Sequence, residues 1–143
     1  MADICHDFPI RGASAKVFSA ISTPDGLNHW WTKTCDGTPR EGSEYTLGFG
    51  EGYDWRAVVT QCVPNSLFEL KMTHADDDWS GSRLSFTLAG NGESTHVVFR
   101  HSDWPEENEH YRISCYCWAM YLRHLKRYVE SGTTVAYEDR LDV

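Results

Sequence analysis

No run of apolar residues in this chain is long enough to span a bilayer, and no positively charged segment followed by an apolar core opens it. A spanning helix needs about 20 such residues, so neither a membrane span nor a secretory leader is implied, and the expected location is the cytoplasm. Basic residues are in deficit: 13 Lys and Arg stand against 21 Asp and Glu, a formal net charge of −8. Phosphate recognition needs clustered cations, so this balance argues against nucleic acid and anionic membrane surfaces as partners. Metal-site spacings are missing as well: there is no H-E-x-x-H, no C-x-x-C and no Cys-rich knuckle. The five Cys are an odd, scattered set and read as reduced thiols rather than as a disulfide framework. No G-x-S-x-G elbow activates a serine. No G-K-[ST] follows Gly50-Glu51-Gly52, and Asp76-Asp77-Asp78 lacks the remainder of a calcium loop. The expectation is a chain with no cofactor, no metal and no recognisable catalytic motif.

Aromatic side chains and one long periodic segment are what the chain does have. Phe, Trp and Tyr make up 13% of the residues, enough for a heavily packed core or for an aromatic-lined cavity. From about His110 to Ser131, the residues Tyr111, Ser114, Trp118, Tyr121, Leu122, Leu125 and Val129 recur at spacings of three and four. They share one helix face. Arg112, Arg123, Lys126, Arg127 and Glu130 lie mostly on the other side, and Gly132 follows as a C-cap. One helix cannot bury such a stripe alone, so a broad partner is required.

Strand patterns supply that partner. Ala2 to Ile10 alternates, with Ile4, His6, Phe8 and Ile10 on one side. Two short helices follow. The first spans Ala15 to Ile21, and the second begins at Thr23-Pro24-Asp25 and carries Leu27, Trp30 and Trp31. Residues 32–43 read as loop. Five further strands are expected: Glu44 to Phe49, Trp55 to Val63, Leu67 to His74, Ser82 to Leu88 and Thr95 to His101, joined by short turns such as Gly90-Asn91-Gly92. The fold class is therefore α+β: a six-stranded antiparallel meander with one apolar face, covered by the C-terminal helix. A single domain over residues 1–132 is expected, with a polar, loosely ordered tail over 133–143.

Several local patterns resemble one known family in their order. They are Ala13-Ser14-Ala15-Lys16-Val17-Phe18, Thr23-Pro24-Asp25-Gly26-Leu27, Trp30-Trp31, the Glu41-Gly42-Ser43 turn, Val59 to Pro64 followed by Leu67, Thr95-x-Val97-x-Phe99-x-His101, and Trp118, Leu122, Leu125 and Gly132 of the last helix. Together they resemble the SRPBCC superfamily (START-related, polyketide-cyclase-like), within the branch of homologues of the activator of the heat-shock chaperone ATPase. The resemblance implies a helix-grip fold, a curved sheet wrapped around the long helix, often around an elongated apolar cavity. It does not fix a reaction, since one fold hosts many functions. Cys117 departs from the Gly that family members often carry before the helix Trp, and a larger side chain there narrows the space beneath the helix.

Candidate ligand-binding residues follow from the inward faces: Trp30, Trp31, Phe49, Trp55, Phe68, Met72, Phe86, Phe99, His101, Ser114, Trp118 and Tyr121. They either line a pocket for a small apolar, aromatic or amphipathic molecule or fill a core, where each large side chain contributes roughly 1.5–3 kcal/mol. Adjacent Trp30 and Trp31 cannot both face one core from a helix, so one belongs at a cavity mouth or on the surface. His6 and His101 lie on neighbouring outer strands and are expected to approach each other. Three functions remain open: a binding protein that holds a small apolar, aromatic or lipid-like ligand between sheet and C-terminal helix, a co-chaperone-like module acting on a chaperone ATPase, and a cyclase- or hydrolase-type enzyme using Tyr121, His101 or His74. The strand Glu44–Phe49, read as an edge, or the exposed Trp offers a homodimer surface.

Overall fold

The computed structural model describes residues 2–142. Its elements run β1 (Ala2–Ile10), α1 (Ser14–Ser22), α2 (Pro24–Asn28), β2 (Thr34–Asp36), β3 (Glu44–Gly48), β4 (Asp54–Val63), β5 (Leu67–His74), β6 (Arg83–Asn91), β7 (Ser94–Trp104) and α3 (Glu109–Ser131), followed by a single 3-10 turn, Tyr137–Asp139. This is an α+β arrangement of one antiparallel sheet, ordered β1-β7-β6-β5-β4-β3-β2, and a long C-terminal helix. β2 to β7 form a continuous meander, and β1 returns to pair with β7, setting Ile4 opposite His101 and His6 opposite Phe99.

The sheet therefore has seven strands, not the expected six. The additional strand is β2, inside residues 32–43 expected to be loop. It has three residues, too few for alternation to show, and it pairs Thr34 with Gly48 and Asp36 with Thr46. By covering β3 it removes Glu44–Phe49 from the sheet edge, so β1 and β2 are the edges. No helix among the described residues is long and apolar enough to cross a membrane.

α2 begins where expected, with Pro24 in its first turn and the Thr23 hydroxyl accepting from the Gly26 N–H at 3.0 Å. It stops at Asn28, earlier than expected. Trp30 and Trp31 therefore sit in the turn beyond it and are free of helical spacing. Both turn inward, 0% and 3% exposed, and the Trp30 Nε1–H donates to the Ala20 carbonyl at 2.9 Å.

α3 opens with Asn108, whose side-chain oxygen accepts from the Tyr111 N–H at 2.9 Å, and closes on Gly132 at φ 73°, a left-handed position that glycine fills without strain. Its stripe of Ser114, Trp118, Leu122, Leu125 and Val129 is buried, while Tyr116 is exposed. Trp118 meets Phe99 of β7 with ring centroids 4.5 Å apart. Near its C-terminal end the helix is tied to the end of β1, where Glu130 accepts from the Arg11 N–H at 2.8 Å and Lys126 donates to the Pro9 carbonyl.

The tail departs from the loose segment expected. Arg140 is buried and donates to three carbonyls, those of Asn28 at 2.7 Å, Val135 at 3.0 Å and Thr32 at 3.2 Å. Its own carbonyl accepts from His124 Nε2 at 2.7 Å. One side chain thus links the tail to the end of α2, where carbonyls lack helical partners.

Candidate functional site

A cavity of about 320 Å³ opens between the N-terminal half of α3, the β3–β4 hairpin and the β5–β6 connection. α3 contributes His110, Ile113, Ser114, Cys117, Trp118 and Tyr121. Their spacings of three and four place them on one helix face beside the buried stripe. Phe49, Tyr53 and Trp55 come from the hairpin, Asp76 and Trp79 from the β5–β6 connection, Trp31 from the turn after α2, and Tyr137 and Leu141 from the tail. Tyr53, Ile113 and Leu141 are among the most exposed large apolar side chains of the protein, so the mouth is rimmed by apolar surface.

The walls are held by a buried polar chain. The Trp79 Nε1–H donates to the Ser114 hydroxyl at 3.3 Å. The Trp118 Nε1–H donates to His101 Nδ1 at 3.0 Å. That contact places the imidazole proton on Nε2, which lies 2.7 Å from the Ser82 hydroxyl. Ser82 in turn donates to the Trp79 carbonyl. Burial lowers the pKa of His101 to about 3, with a smaller repulsion from His110. His101 is therefore a neutral strut that fixes two indoles, and it is not itself on the cavity wall.

Other groups show what the wall can do chemically. Burial pushes the Tyr121 hydroxyl up to about 12, so it stays a phenol. Burial also raises the Cys117 thiol, so it faces the cavity protonated and unactivated. At the mouth, Asp78 lies 3.0 Å from His110 Nδ1, and that hydrogen bond, with a second from Asn108, holds its carboxyl below the usual range. On the other flank of α3, Cys115 Sγ lies 3.9 Å from His6 Nε2, outside the cavity. His6 stacks on Phe99 and does not join His101, because the strand register offsets the two. No group of three or more His, Cys, Asp or Glu among the described residues is placed to hold a metal ion.

Of the residues singled out from sequence, the fold brings Trp31, Phe49, Trp55, Ser114, Trp118 and Tyr121 together around the cavity. Trp30, Phe68, Met72, Phe86, Phe99 and His101 fill the core behind it. Phe68 packs edge-on against Phe18 and Tyr45, and Phe86 edge-on against Trp30 and tilted against Phe99, so α1 and the turn after α2 occupy the space over the sheet centre. Tyr53, one of the aromatic residues expected to converge between sheet and helix, and Cys117, expected to narrow the space beneath the helix, both line the wall, whereas sequence reasoning missed Asp76, Trp79, His110, Ile113, Tyr137 and Leu141. Trp79 carried a usable signal, a bulky indole in an otherwise polar turn. Ile113 carried another, continuing the helix face beside Ser114 and Cys117.

The family profile described as Activator of Hsp90 ATPase homolog 1-like protein matches residues 13–130. The chain belongs to that family. Its membership accords with the SRPBCC resemblance read from the motifs. The solution structure of the Aha1 dimer from Colwellia psychrerythraea matches this chain with a TM-score of 0.83 and 30% identity, covering 93% of this chain and 99% of that one. Two more distant structures share the fold. Protein SSP2350 from Staphylococcus saprophyticus has a TM-score of 0.79 and 18% identity, covering 94% and 96% of the two chains. CalU16 from Micromonospora echinospora has a TM-score of 0.72 and 20% identity, covering 92% and 67%. No curated protein matches the chain.

Proposed function

We propose that this protein is a helix-grip binding module, a single domain over 1–132, that holds a small apolar or aromatic molecule in the cavity beside α3, with tail residues Tyr137 and Leu141 in its wall. The cavity carries this reading. Its volume of about 320 Å³ falls at the small end of the roughly 300–1,000 Å³ range of ligand pockets. Its walls are indoles, phenols and aliphatic side chains with a few polar groups, the mixture that binds and orients small ligands. The apolar rim adds surface that a ligand would remove from water.

The test is a fluorescence titration with 1-aminoanthracene, a neutral lipophilic dye. The wild-type protein should bind it saturably, and Cys117→Trp, which fills the cavity from its helix wall, should weaken binding at least tenfold. Absence of binding, or equal binding by the filled variant, would remove the cavity as the site.

A second reading, action on a chaperone ATPase, draws on the family's description and on a relative named Aha1 whose chain is covered almost end to end. A turnover assay of the Hsp90 ATPase with and without the protein decides it: stimulation supports the reading, and an unchanged rate dismisses it. The same relative is a dimer in solution, which supports a second copy as partner. Sedimentation equilibrium should then show a mass near twice that of one chain.

A further inference from the structure

We infer that the cavity's ligand is an organic cation, a quaternary or protonated amine attached to an apolar or aromatic body. This rests on the binding reading above and adds the ligand's charge. Five aromatic side chains on the wall form a closed circuit. Trp31 and Phe49 have ring centroids 5.2 Å apart, Phe49 and Trp55 5.1 Å, Trp55 and Trp79 5.0 Å, Trp79 and Trp118 5.7 Å, and Trp118 and Trp31 5.2 Å. Four of the protein's six Trp are in this circuit. An aromatic face is negative, and it attracts a cation within about 6 Å of the ring centroid, with Trp the strongest of the three ring types. A cation beside the circuit meets several rings at once.

The charges point the same way. No Lys or Arg lines the cavity, and Asp76 is its one carboxylate. Asp78, two residues further along the same turn, is paired with His110. The protein's net charge of −8 favours approach of a cation over that of an anion. Asp76 is exposed, so water screens its pull, and the rings supply most of the preference.

Two cations stand near the opposite end. Arg140 and Lys33 lie against the Tyr137 ring, 5.6 and 5.8 Å from its centroid. Neither lines the cavity, and Arg140 directs its donors to carbonyls. They disfavour positive charge beside Tyr137 and Tyr121. His110 and Tyr121 are separated by about 16 Å along α3 at the helical rise, so the two ends are distinct. The ammonium head therefore belongs near Trp55, Trp79 and Asp76, and the apolar body points toward Trp118 and Tyr121.

The experiment compares phenyltrimethylammonium with its neutral isostere tert-butylbenzene by quenching of tryptophan fluorescence. The cation should bind about tenfold more tightly, the scale of a desolvated cation–ring contact. Trp55→Leu should abolish that preference, so that the two compounds bind the variant within about threefold of each other. Asp76→Asn, a change at an exposed position, should reduce the preference about twofold to threefold. Equal affinities, or tighter binding of the neutral isostere, would overturn the cation and leave an apolar binding site standing. Saturable quenching by neither compound would overturn both readings.

Discussion

Replacing His101 with Gln should flatten the acid limb of the stability curve. In the folded protein the imidazole is fully buried, its Nδ1 accepts from Trp118, and its pKa is lowered to about 3 from an ordinary 6.5. The unfolded chain takes up this proton near pH 6.5 and the folded chain resists it, so stability falls as pH falls through 6.5 and levels off only near pH 3. A shift of that size corresponds to about 5 kcal/mol at full expression, and to about 2–3 kcal/mol between pH 7.5 and 4.5. Asp78 and Glu130 also lose stabilising contacts on acidification. His110 holds the first below the usual carboxyl range, and the Arg11 N–H holds the second there. Both are present in wild type and variant, so they cancel in the difference. Gln offers an acceptor oxygen and an NH2 donor group and has no proton to gain. Urea unfolding followed by circular dichroism at pH 7.5 and 4.5 should show the wild type losing about 2–3 kcal/mol more than His101→Gln. Parallel losses would mean that His101 is protonated in the folded state and would refute the neutral strut.

Three further changes probe the elements that position the cavity. Leu125→Ala removes a fully buried core side chain on the inward face of α3 and should cost about 2–5 kcal/mol in chemical denaturation; a near-neutral result would mean that this face of α3 is not the packed one. Asn108→Ala removes the cap of α3 and a donor to Asp78, and should cost about 1 kcal/mol, seen as a lower urea midpoint with an unchanged slope. Arg140→Ala should free residues 137–142, raising their amide exchange while the β5–β7 amides stay protected. Unchanged exchange in the tail would show that other contacts hold it.

What could be read from the sequence followed chain periodicity. The α3 stripe runs for five turns, so its face and ends were legible from Tyr111 to Gly132, and the meander strands announced themselves by alternation between turn residues. β2 did not, because three residues make one and a half periods and its pairing with β3 is a tertiary event. The site divided along a similar line. Trp118, Tyr121 and Ser114 were legible because a helix face was. Phe68, Phe86 and Phe99 were read as possible wall residues because an inward strand face looks the same under a cavity as under a packed core. What decides between them is the volume occupied by α1, Trp30 and Tyr45, which no local pattern encodes. The tail was missed for a different reason. It is polar throughout, and its docking depends on Arg140 finding the carbonyls of Asn28 and Thr32, more than a hundred positions earlier.

A ligand in the aromatic space beside α3 must lie against the indoles that line it. Intermolecular nuclear Overhauser effects from bound 1-aminoanthracene test it most directly. Contacts are expected to the indole protons of Trp31, Trp55, Trp79 and Trp118. Contacts confined to the groove between β1 and α3, at Phe8, Leu122 and Lys126, would contradict it.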